Sequence, residues 1–133
     1  MNRWFVLAGA IALIVGAIHS WIGEKQVIAP LLRGGGPLGA SSGSSGLKKV
    51  LLRVTWHLAT LAMWGAAATL FFLAREPVTH TSTGVARIVS LTFAAFTLLV
   101  FVTPGLRPRY LFRHGGWAAF ALIAGLIWWG TLR

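Results

Sequence analysis

Four apolar runs, each close to the length that crosses a bilayer, constrain this chain more than any other feature. They are "WFVLAGAIALIVGAIHSWI" (4–22), "VTWHLATLAMWGAAATLFFLA" (54–74), "VARIVSLTFAAFTLLVFVT" (85–103) and "GWAAFALIAGLIWWGTL" (116–132). A helix of about 20 such residues spans the hydrocarbon core of a membrane. Each run is apolar on every face, whereas a soluble helix hides only one stripe. Charged residues make up 11% of the sequence, against about a quarter in a soluble domain. The expectation is an all-α integral membrane protein: a four-helix transmembrane bundle, antiparallel and up-down-up-down, forming a single domain over residues 1–133.

The first run, behind Arg3, also has the outline of a signal peptide. Its span length favours a retained helix. Tryptophans 4, 21, 117, 128 and 129 fall near run ends, where an interfacial aromatic belt would place them. The net charge of +10 does not suggest nucleic acid, because the basic residues lie between apolar runs instead of forming one patch. Lys25, Arg33, Lys48, Lys49 and Arg53 fall between runs one and two, and Arg107, Arg109 and Arg113 between three and four. Arg3, Arg75, Arg87 and Arg133 belong to the other side, with Arg87 close enough to a span end to snorkel. The excess places the first and third connections in the cytoplasm and both termini on the periplasmic side. No cysteine is present, which removes disulfides, thiolate metal sites and cysteine catalysis.

Residues 34–46, "GGGPLGASSGSSG", have the composition of a flexible tether, native or engineered. The second connection is turn-like: Pro77 ends helical structure, and Ser82 or Thr83 is the expected cap of the third helix. Ala8, Ala12, Gly16 and Ser20 recur every fourth position and let another helix approach closely. The stripe serves packing within the bundle or a homo-oligomer seam.

The polar residues gather at one depth. His19 lies one turn before the end of the first run, His57 one turn inside the second, and His114 precedes the fourth; His80 is expected at the opposite side. Glu24 is the one carboxylate expected on the cytoplasmic side. On a continuous helix Glu24 would lie about 140° away from His19. Gly23 is expected to end that helix and swing the carboxylate back beneath the bundle. Lys25 and Arg53 are its candidate partners. Arg53, His57 and Thr60 share a face expected to look inward, since ionisable groups facing lipid are costly. Ser20 and Trp56 flank the two histidines. His19, Glu24 and His57, with His114 as an additional ligand, have the residue types of a divalent-metal site, and two histidines could hold haem b.

The repeated Glu-x-x-His pairs of ferritin-like di-iron bundles are missing, as are H-E-x-x-H, G-x-S-x-G and a phosphate loop. "HSWIGE" (19–24), "PLL" (30–32), "WH" (56–57) and "RHGGW" (113–117) together resemble a group of small bacterial four-span membrane proteins with an H-S-x-x-G-E and W-H pattern. That resemblance implies a bacterial inner-membrane protein and carries no activity with it. Two functions suit the constellation. One is a metal or haem site serving membrane redox, sensing or lipid chemistry. The other is an oligomeric channel, transporter or accessory subunit in which the histidines and Glu24 are protonatable groups.

Overall fold

The computed structural model describes residues 1–30, 45–102 and 115–133. His114, Arg33, Arg107, Arg109, Arg113 and most of the glycine–serine stretch lie outside them. Apart from the turn at 74–79 and the chain ends, the described residues are helical, with no strand among them. Helix α1 covers Arg3–Ile22 and runs on without a break through a π-helical turn, Gly23–Ile28. Helices α2, α3 and α4 cover Ser45–Leu73, His80–Val102 and Gly116–Gly130.

Three helices are long and apolar enough to cross a membrane: Arg3–Ile28, Gly46–Leu73 and His80–Val102. The fourth run also forms an apolar helix, Gly116–Gly130, whose 15 residues reach about 22 Å. Helix α2 starts at Ser45, nine residues before the expected boundary. Leu47, Val50, Leu51, Val54, Leu58 and Leu61 then form one exposed apolar strip at helical spacing. That strip carries the helix back into the last residues of the expected linker.

Helix α1 is central. It packs against α2 on one side and α4 on the other; α3 lies against α4 and touches α2 only sparsely. Neighbouring helices run antiparallel. Ala8, Ala12, Phe5, Met63, Ala67, Leu70, Phe93, Ile123 and Ile127 belong to one core. Ala8 and Ala12 have no exposed surface and Gly16 is buried, so the small-residue stripe is used within the chain. Between α3 and α4, Phe93, Phe96 and Phe120 cluster at 5.7–6.0 Å between ring centroids. Beside them Ser90 donates to the Ala124 carbonyl at 2.8 Å, satisfying a buried hydroxyl.

Asn2 closes one end of the bundle. Its Oδ1 accepts from the Trp4 and Phe5 amides, its Nδ2 donates to the Gly130 carbonyl at 2.8 Å, and its amide donates to the Ala74 carbonyl at 2.8 Å. One side chain thus caps α1 and ties it to α4, and the backbone ties it to α2. The cap of α3 is Thr79, not Ser82 or Thr83. The Thr79 amide donates to Ser82 Oγ at 2.8 Å and the Ser82 amide to Thr79 Oγ1 at 3.0 Å, a reciprocal box in which serine replaces the usual acid.

Candidate functional site

The site lies along the α1–α2 seam at the end opposite Asn2. Two glycine–tryptophan contacts fix that seam. A Cβ at Gly16 would come within 2.7 Å of the Trp64 indole nitrogen, and one at Gly23 would overlap the Trp56 indole. Each indole N–H then reaches a backbone carbonyl of α1 at 3.2 Å, Trp64 to Leu13 and Trp56 to His19. The two tryptophans are eight residues apart on α2 and the two glycines seven apart on α1, about two turns in each case. Together they lock the register of one helix against the other.

This corrects the expected role of Gly23. Its backbone stays right-handed helical (φ −59°, ψ −46°), so the helix does not end there. What the position requires is the missing side chain, since any Cβ would meet Trp56. The π-turn that follows has hydrogen bonds five residues apart, as from the Ala29 amide to the Glu24 carbonyl. That spacing brings Gly23 and Ile28, both buried, onto one face. Glu24 instead follows Ser20 by four residues and shares its edge of the seam.

There Ser20, Glu24, His57 and Arg53 meet. Ser20 Oγ lies 2.9 Å from His57 Nδ1. Glu24 Oε2 lies 3.4 Å from His57 Nε2, an ion-pair separation that stops short of a formed hydrogen bond. Arg53 Nη2 donates to Glu24 Oε1 at 2.5 Å. The imidazole is therefore faced at both nitrogens, and its carboxylate neighbour is anchored from behind. Lys25 does not take Glu24. Its ammonium sits 3.9 Å from the centroid of the Trp21 ring, in cation–π contact.

His19 has a different partner. Its ring lies flat on Trp56, 4.6 Å between centroids with the planes 6° apart, and its Nε2 is buried without a hydrogen bond. The expected donor set of His19, Glu24 and His57 is not assembled, because the Gly23–Trp56 contact directs His19 onto the indole. Among the described residues, no three histidine or acidic side chains are arranged to hold a metal ion. The shared inward face of Arg53, His57 and Thr60 also divides. Thr60 is buried with an unpartnered Oγ1, whereas Arg53 is half exposed and His57 lies at the seam's edge. His80 begins α3 at the Asn2 end, exposed as expected.

Beside these groups runs an open groove of about 450 Å³. Its lining follows the seam from Ala17 and Trp64 to Ser20, Glu24 and His57, with Trp21 and Lys25 beside them, and its surface is almost wholly apolar. Sequence reasoning passed over Trp64 and Ala17. The signal for Trp64 was its eight-residue spacing from Trp56, opposite two glycines seven apart. Arginines extend the cation–π pattern elsewhere, Arg87 over Trp128 at 5.4 Å and Arg133 over Trp129 at 5.0 Å. Comparison of the chain with protein-family models, curated proteins and solved structures finds no match.

Proposed function

We propose that this chain is a multi-pass protein of a bacterial inner membrane, with both termini periplasmic, that acts on lipids at the cytoplasmic edge. The observation that carries this reading is the groove between α1 and α2. Its almost wholly apolar surface runs from Ala17 and Trp64 to the positions of Ser20, Glu24, His57 and Lys25. A lipid has the same order of parts: an acyl chain, an ester, then a charged headgroup. The acyl chain lies along Trp64, and the headgroup phosphate meets the cationic rim. Arg53 neutralises Glu24, and Lys25, held over Trp21, is left as the cation of the rim. On this reading the polar groups lie at a membrane edge, where their cost is tolerated.

A phospholipid with a photoreactive group on its acyl chain tests the reading, using the full chain in lipid nanodiscs. Adducts are expected to concentrate on the peptides carrying Ala17, Trp21 and Trp64, above the exposed face of α3 at Ile88, Leu91 and Leu98. Ala17→Trp, which fills the groove from an exposed position, should remove that excess. Even labelling of every exposed apolar face, unchanged by Ala17→Trp, would refute the proposal.

A further inference from the structure

Ser20, His57 and Glu24 stand in the order nucleophile, base, acid. From this geometry we infer that Ser20 is an acyl-accepting nucleophile directed at the carboxylic ester of a phosphoglyceride; the inference rests on the lipid-groove reading above. The recurring mark of an activated nucleophile is a hydroxyl within hydrogen-bond reach of a base that a third group orients. Ser20 Oγ is 2.9 Å from His57 Nδ1, and Glu24 Oε2 faces the opposite ring nitrogen at 3.4 Å. The ionised carboxylate favours the tautomer with hydrogen on Nε2. Nδ1 is then left only to accept, so the Ser20 hydroxyl donates its hydrogen to the base. The two nitrogens are used in the opposite sense to the serine-protease triad, but each role is filled.

The surroundings favour the same chemistry. Arg53 holds Glu24 from the side away from His57. The Gly16–Trp64 and Gly23–Trp56 contacts bracket the Ser20–His57 pair and fix its register. The π-turn begins three residues after Ser20, and such turns recur at functional sites. Lys25 is a cation among the residues that line the groove, the kind of charge that stabilises a developing oxyanion.

The reaction balances without a co-reactant other than water. Ser20 Oγ attacks the ester carbonyl carbon while its proton passes to His57 Nδ1. The bond from that carbon to the glycerol oxygen breaks, and His57 returns the proton to the departing alcohol, leaving an acyl-Ser20 ester. Water then attacks that ester, gives a proton to His57, and the fatty acid leaves as Ser20 regains its hydrogen. The sum is ester plus water to acid plus alcohol.

The test uses an alkyl fluorophosphonate, which phosphonylates activated serines, on the full chain in nanodiscs, with peptide mass spectrometry to locate the adduct. The wild-type protein should be labelled at Ser20, and Ser20→Ala should not be labelled. His57→Ala should slow labelling about 100-fold, the scale of one general base, while His57→Gln tests the base in a side chain that keeps hydrogen-bonding capacity. Thr55→Ala is the control, since Thr55 is an exposed hydroxyl bonded only to its own helix. No adduct at Ser20 in the wild type would overturn the inference, as would a rate that both His57 variants leave unchanged. If acyl-chain crosslinks persist in the groove while Ser20 stays unlabelled, the nucleophile fails and the lipid site stands. Loss of both removes the lipid reading as well.

Discussion

Gly23 is where a single residue decides the most. Its lack of a side chain lets Trp56 lie against α1, and Trp56 in turn holds His19 by stacking and by its N–H. Gly23→Ala forces an overlap with a rigid ring, a change that costs about 1–3 kcal/mol in a packed setting. Thermal unfolding in detergent should therefore show a lower midpoint for Gly23→Ala. In a Trp56→Ala background the sign should reverse. The overlap is gone there, and alanine is favoured over glycine in a helix by about 0.5–1 kcal/mol. Gly125 is the comparison: nothing lies within 4 Å of a Cβ built there, so Gly125→Ala should raise the midpoint. Destabilisation at both glycines would mean that backbone effects, not the indole, set the outcome.

At the scale of elements, capping leaves only a local trace. Asn2 stands directly before α1, a position where asparagine accepts orphan amide hydrogens. Its second role, bonding Gly130 across 128 residues of sequence, has no local trace. Asn2→Ala removes both, and should lower stability by about 1–2 kcal/mol. A drop no larger than that of an exposed helix substitution would show that the tie to α4 contributes nothing. The early start of α2 was missed for a different reason. Serine and glycine at 45–46 read as loop on propensity, but the apolar strip that begins at Leu47 extends the helix past them. Propensity is the weaker of the two signals. Similarly, the third helix begins five residues ahead of its apolar run because Thr79 and Ser82 cap each other.

For the whole molecule, the pairing order of the helices gives a testable arrangement. Both the Asn2 end and the Thr79 turn lie at one end of the bundle, and Lys48 near the start of α2 belongs to the other. The chain has no cysteine, so an introduced thiol reports alone. With membrane-impermeant reagents on intact cells, Thr79→Cys should be labelled from outside and Lys48→Cys only after the membrane is opened. Labelling of both from the same side would contradict the proposed crossing. The stripe of Ala8, Ala12 and Gly16 is buried against the chain's own helices, so an oligomer, if formed, would have to use another face.

The sequence by itself determined the helical class, the membrane-length runs, the basic and aromatic residues at their ends, and the Glu24–Arg53 ion pair as one of two candidates. Those follow from length, hydropathy and spacing along one helix, which are local quantities. Only the tertiary structure decided that His19 turns to Trp56, that Ser20 and Glu24 meet opposite nitrogens of His57, and that a groove opens beside them. Those contacts depend on how far α1 is slid and rotated against α2. That register is set where two indoles cross two glycines, and a step of one residue would turn Ser20 about 100° away from His57.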